Sequence, residues 1–309
     1  MASGAWTAEL PLIGAGGEPV DLRRTIASHG LVDLPPMRIE DGGATLEIAL
    51  PVPGSRPRVV RIAEGRAGRA LVSVEGRAPG PRAANAVLTA TARVLRLDED
   101  LSPFYALAEG DPALAWAAAG AGRLVRSPTV FEEVVKTICT TNCAWSGTVR
   151  MGGALVEQWG APAAGVAPRG PYGRAFPTPT AMAEADEAFY RDVARAGYRG
   201  AYLRSLAIAV AEGELDLEKL EDDGLSEEEV SERLLALPGV GPYAAAHVML
   251  LLGRYSRLVL DSWTRPTYAR LNGGRPAKDA TIARRFRRYG PYAGLAFWVL
   301  LTRDWVPER

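Results

Sequence analysis

Soft metal ligands are nearly missing from this 309-residue chain: Cys139, Cys143, His29 and His247 are the only cysteines and histidines. That is too few for a zinc or iron–sulfur centre built from Cys and His. It also excludes a disulfide framework, which fits a reducing cytoplasm. Lysine is almost as scarce, with Lys136, Lys219 and Lys278 the only ones among 36 basic residues. Net charge is zero, 36 basic against 36 acidic residues, so no global field draws a polyanion. A nucleic acid would have to be met by a local basic face or by backbone N–H groups. The longest apolar run, 243–252, has about half the length that crossing a membrane requires. The opening MASGAWTAELPLIGAGG lacks the charged start and apolar centre of a signal peptide. A cytoplasmic protein is expected, nucleoid-associated if bacterial.

What is present is apolar bulk. Hydrophobic residues make up 48% of the chain, enough to bury a sizeable core, and the length suits one large domain or two ordinary ones. Residues 37–76 alternate at strand period: in TLEIAL, Leu46, Ile48 and Leu50 share a face, and Gly42-Gly43 supplies a turn. Residues 81–97 switch to helical spacing, with Val87, Leu88, Val94 and Leu95 on one side. Beyond residue 100 the pattern is helical nearly throughout. Ser127 reads as a helix N-cap with Pro128 at the first helical position. Helices are expected at about 181–196 and 200–212, and Ser226 with Glu229 forms a capping box. The acidic runs EDDG and SEEE read as solvated helix ends without partners. The fold class expected is α+β: an N-terminal α+β domain over 1–99, with a small antiparallel sheet and a helix, then a mostly helical domain over 100–309.

One stretch carries chemistry. In LLALPGVGPYAAAHVML, Leu234, Leu237 and Val240, then Ala244, Ala245, Val248 and Met249, pack two helices around Pro238-Gly239-Val240-Gly241-Pro242. Glycines leave N–H groups uncovered, and Pro242 can open the second helix. The result is an anion site at a helix N-terminus. An ordinary helix–turn–helix corner is the plain alternative. About twenty residues on, Asp261 ends the run RLVL and precedes SWTRPTYARL, so it caps a helix, either for that purpose alone or as a charged catalytic group kept ionised by the helix dipole.

LPGVGPYAAAHVML followed by LVLD resembles the hairpin and acid signature of the helix-hairpin-helix DNA glycosylase superfamily, which excises damaged or mispaired bases. FEEVVKTICTTNCAWSGT, AGYRGAYLRSLA and YGPYAGLAFWVLL resemble further family segments, in family order. The helical match covers about 100–305. The N-terminal sheet resembles the extra domain of the 8-oxoguanine and 3-methyladenine glycosylase branches.

The resemblance implies roles. Gly239, Val240 and Gly241 would bind a DNA phosphate, with a monovalent cation on the hairpin carbonyls as the one cofactor to consider and no metal site otherwise. Asn142 would fill the gap left by the flipped nucleotide, and Tyr198, next to Arg199, would splay the opposite strand; the bland readings are a helix C-cap and a surface turn. Asp261 would offset the oxocarbenium charge on the sugar. Strand-cutting members carry a lysine where this chain has Tyr243, and a phenol cannot form an imine. Tyr243, Trp145, Trp263 and Phe297 would line an aromatic pocket, unless they are plain core. Gly147 stands where the 8-oxoguanine branch has an arginine that reads the opposite base, and Phe297 replaces its base-reading glutamine. The basic cluster RRFRRYG suits either a phosphate or solvent. Expected is a monomeric, monofunctional glycosylase acting on double-stranded DNA that contains a damaged base, such as an alkylated purine. A bifunctional glycosylase/lyase and a non-catalytic lesion-binding homologue are the rivals.

Overall fold

The computed structural model describes residues 6–307. Strands β1 (Trp6–Pro11), β2 (Met37–Glu40), β3 (Thr45–Leu50), β4 (Arg58–Glu64) and β5 (Arg69–Val74) form one antiparallel sheet in the order β1-β5-β4-β3-β2. The turn before β3 uses Gly42 and Gly43, both at positive φ, as the glycine pair implied. Leu46, Ile48 and Leu50 share the core face and are fully buried. Helix α1 (Leu22–Ile26) is capped by Asp21, and α2 (Pro81–Val94) opens on a proline. Val87, Val94 and Leu95 close the core of the sheet.

The rest is helical: α3 (Ser102–Glu109), α4 (Val130–Thr140), α5 (Trp145–Trp159), α6 (Pro179–Glu184), α7 (Arg199–Ala211), α8 (Glu227–Leu235), α9 (Pro242–Leu251), α10 (Thr264–Leu271), α11 (Asp279–Phe286) and α12 (Ala293–Thr302). The architecture is α+β. Two apolar cores organise the helices. One joins α4, α5, α7, α8 and α9 through Val134, Ile138, Leu155, Leu203, Leu234 and Val248. The other joins α3, α10, α11 and α12 through Phe104, Tyr268, Phe286 and Leu295. Helix α9 serves both, with Ala244, Val248 and Met249 in the first and Ala246, Leu250 and Leu251 in the second. A helix apolar on every face is a buried one. Leu31 and Leu34, ahead of the sheet's second strand, pack into the second helical core, so apolar packing ties the sheet to the helices. No described helix is long and apolar enough to cross a membrane.

Three local expectations are corrected. Helix α4 starts later than Ser127-Pro128 suggested: Thr129 is the N-cap, accepting from the Glu132 N–H, and Glu218 takes the Val130 and Phe131 N–H groups. Glu133 binds the Ser127 N–H instead. The helix expected over 181–196 breaks. Asp186 accepts from the Phe189 N–H at 2.7 Å and starts a separate π-helical turn, Phe189–Val193. The acidic runs have partners: Glu221 pairs with Arg93 and Arg126, Glu227 holds Ser256, and Glu228 meets Arg257.

Candidate active site and nucleic-acid face

The hairpin begins with α8, whose capping box is formed by Ser226 and Glu229 as expected. Pro242 opens α9. The loop between them divides its duties. Val240 is buried and its N–H donates to the Leu237 carbonyl at 3.1 Å, which corrects its place among the DNA-binding residues: it anchors the loop and has no donor to offer. Gly239 sits at φ +84°, and a Cβ there would lie 2.7 Å from the Tyr202 ring, so the turn requires glycine. Gly241 is extended, at φ −97°, and a Cβ there would meet nothing within 4 Å. Among the described residues, the N–H groups of Gly239 and Gly241 have no hydrogen-bond partner. Two backbone donors therefore stand at the positive end of a ten-residue helix.

Asn142 and Tyr198 come together from distant segments. Asn142, at φ +44° in the loop after α4, donates from its amide to the Tyr198 hydroxyl at 3.3 Å. Both are exposed. Arg199 does not share that exposure. It is 7% exposed, its Nε donates to the Thr141 carbonyl at 2.8 Å, and its Nη2 donates to Thr141 and, at 2.7 Å, to Asn142. Its guanidinium also covers the Tyr198 ring at 4.6 Å. The expected DNA contact by Arg199 is therefore replaced by a clamp on the loop that carries Asn142. Gly147 is buried in α5, where a Cβ would lie 2.5 Å from the Cys143 sulfur.

Asp261 caps α10. Its Oδ1 accepts from the N–H groups of Trp263 and Thr264 at 2.8 and 2.6 Å, and Thr264 Oγ1 accepts from the Asp261 N–H at 2.8 Å. Among the described residues no donor is bonded to Oδ2. The charge of Asp261 acts on Tyr243 and His247 of α9, which places the acid beside the hairpin helix.

Tyr243 is half-buried, with its hydroxyl 3.3 Å from Thr140 Oγ1. Burial raises its pKa, the Thr140 bond opposes that, and Asp261 adds to it. One turn on, the His247 ring lies 5.9 Å from Tyr243 and 5.9 Å from Trp298 of α12. Burial lowers the His247 pKa to about 4, with Asp261 pulling the other way, so it is neutral at neutral pH. Trp263 packs on Trp298 and Trp305 at 5.7 and 5.3 Å. Trp145 opens α5, 47% exposed, with its indole 3.5 Å from where a side chain on Gly30 would begin. Phe297 corrects the pocket assignment. It is fully buried between Phe286 and Tyr268, with ring centroids at 5.2 and 6.1 Å. The next residue, about 100° around the helix, is Trp298, and that side faces Trp263 and His247.

Sequence reasoning missed His29, His247, Trp298 and Trp305. A usable signal existed for His247, which follows Tyr243 by four and so shares its helix face. Among the described residues, no three His, Cys, Asp or Glu side chains cluster as metal ligands.

No protein-family model matches the chain. A curated relative described as "Probable N-glycosylase/DNA lyase", from Methanothermobacter thermautotrophicus, is 27% identical over 222 residues, covering 65% of this chain and 69% of its own. Among solved structures, the 3-methyladenine DNA glycosylase of Archaeoglobus fulgidus superposes with a TM-score of 0.71 at 22% identity, over 98% of this chain and 100% of that one. The apo 8-oxoguanine glycosylase/lyase of Clostridium acetobutylicum gives 0.69 at 19% identity, over 93% and 94%. The chain has the fold of the helix-hairpin-helix DNA glycosylases, sheet included.

Proposed function

We propose that this protein is a monofunctional DNA glycosylase of base excision repair. It extrudes a damaged base, an alkylated or otherwise modified purine, from double-stranded DNA and hydrolyses the N-glycosidic bond to leave an abasic site. The observation that supports this is Asp261, held by two backbone N–H groups on Oδ1 with Oδ2 unbonded, beside Tyr243 and His247. The reacting carbon is hidden in a duplex, so the nucleotide must leave the stack first. As the C1′–N bond breaks, its electron pair leaves with the base and positive charge develops on the sugar. A fixed carboxylate offsets that charge and orients the water whose oxygen bonds to C1′ and whose released proton balances the electron pair taken by the departing base. Tyr243 and Trp263, the latter backed by Trp298, offer aromatic surface to the base. Asn142 and Tyr198 occupy the gap, and the hairpin N–H groups take a phosphate, with a monovalent cation on the hairpin carbonyls as the accompanying ion.

Hydrolysis is preferred over strand cutting because of where the amines are. Position 243 is tyrosine. Lys136 is buried against Glu132 at 2.6 Å, Lys219 lies 3.7 Å from Asp216, and Lys278 is exposed at the start of α11. The α-amine of Met1 lies outside the described residues. The test is single-turnover excision from a panel of duplexes bearing single modified bases, with borohydride present. Wild type is expected to release a base and trap no covalent complex. Asp261→Asn, nearly isosteric but uncharged, should lose about 100-fold or more in rate while keeping DNA affinity. A trapped adduct would sink the monofunctional reading. An active Asn variant would remove Asp261 from the chemistry, and a wild type that binds but excises nothing would leave a lesion-binding homologue.

A further inference from the structure

Three consecutive residues of the N-terminal unit meet the aromatic site. The Ser28 carbonyl accepts the Trp298 Nε1–H at 2.8 Å. The His29 ring stands edge-on to His247, centroids 6.2 Å apart. Gly30 backs Trp145. His29 is 4% exposed, and its Nε2 lies 2.6 Å from the Val125 carbonyl. A carbonyl only accepts, so Nε2 carries a proton. Among the described residues, no carboxylate is bonded to the ring. Burial, with His247 and Lys136 nearby, lowers its pKa to about 3 against the smaller opposing pull of the Val125 bond. A neutral imidazole protonated at Nε2 presents a bare lone pair at Nδ1. That Nδ1 is buried without a partner among the described residues, and so are both ring nitrogens of His247. A buried polar atom left unpaired is costly, and such atoms call for a functional explanation.

We propose that His29 Nδ1 reads the extruded base, accepting a hydrogen bond from an N–H on the base edge. This rests on the glycosylase reading and narrows its substrate class to modified purines that present an amino or ring N–H to the segment Ser28–Gly30. A base with only lone pairs or C–H on that edge leaves Nδ1 unpaired. A site built around a hydrogen bond rejects such an analogue far more strongly than a purely apolar pocket rejects a misfit. The N-terminal unit is then part of the substrate site.

The experiment has two arms on the full chain. In the first, ¹⁵N NMR of the His29 ring is followed while 9-methyladenine, 9-methylguanine or 9-methylpurine is added. The first two carry N–H donors and the third carries none. The Nδ1 resonance should shift with at least one donor-bearing base and stay put with 9-methylpurine. In the second, excision from the lesion panel is compared for wild type, His29→Asn and His29→Phe. Asn keeps an acceptor oxygen near the Nδ1 position, and Phe keeps the ring without one. The Phe variant should lose about tenfold or more on the preferred lesion, and Asn should recover part of it. An Nδ1 signal unmoved by all three bases overturns the proposal, as does a Phe variant with the wild-type rate and ranking. If wild type excises nothing, the glycosylase reading fails, and the NMR arm still decides for or against His29 as reader. If the Phe variant does not fold, the NMR arm decides as well.

Discussion

The loop after α4 and the hairpin between α8 and α9 are built on opposite plans. The first displays side chains. Asn142 is pushed outward in a left-handed backbone conformation, and the buried Arg199 holds the loop from behind by its carbonyls. The second withdraws its largest side chain, Val240, into the core and leaves the Gly239 and Gly241 N–H groups without a partner among the described residues. One plan suits filling a hole in a stack of bases; the other suits close approach to a phosphate. The difference teaches how a chain of zero net charge can address a polyanion. In the first loop the arginine is spent inside as a clamp, and in the hairpin uncharged backbone groups meet the outside.

Breaking the clamp should have the largest effect. Arg199→Ala leaves the Thr141 and Asn142 carbonyls without their charged donor, and stability should fall by about 3 kcal/mol, read as a lower urea midpoint with an unchanged slope. Arg199→Lys should recover little, because one ammonium cannot copy the fork. A midpoint equal to wild type would mean the loop holds itself. Gly239→Ala comes next. It forces a side chain into the left-handed region and against Tyr202, costing about 1–2 kcal/mol in the same assay, and an unchanged midpoint would show that the hairpin can re-fold around a Cβ.

Gly241→Val sharpens the contrast, because its backbone is ordinary and a Cβ there meets nothing within 4 Å. Stability should stay within about 0.5 kcal/mol. Affinity for damaged and undamaged duplex should fall alike, by about tenfold, since a phosphate contact carries no base information. A loss limited to damaged DNA would contradict the phosphate role. The smallest effect belongs to the display loop. Asn142→Ala and Tyr198→Ala should slow excision by about threefold to tenfold on fully paired duplex, because an unfilled gap leaves bases unstacked at a cost of a few kcal/mol at most. On a duplex already mismatched opposite the lesion the slowing should be less. Equal slowing on both would assign them to folding.

The hairpin was legible in the sequence because glycine and proline positions act locally: Pro242 opens α9, and Ser226 with Glu229 caps α8. Asp261 was legible for the same reason, as a cap at the start of a helix. Misreadings arose where a distant partner decides. Glu218, almost ninety residues away, takes the first N–H groups of α4, and nothing near Ser127 announces it. Arg199 looked like a surface cation because the carbonyls it binds are some sixty positions back. Phe297 and Trp298 are both aromatic neighbours on an apolar helix, and only packing tells which one meets Trp263 and His247. His29 was invisible as a site residue, since its meaning depends on Val125 and His247, which the fold alone brings together.

Helix α9 belongs to two cores at once, and this governs how the protein comes apart. The backbone N–H groups of Val248 to Leu251 cannot reach solvent by loosening either core alone. Their hydrogen exchange must wait for both cores to open together, at the full free energy of unfolding. The N-terminal end of the same helix meets no such condition, since among the described residues the Gly241 N–H has no hydrogen-bond partner. A single rod thus runs from an unbonded amide at its start to amides shielded by two cores, within about three turns.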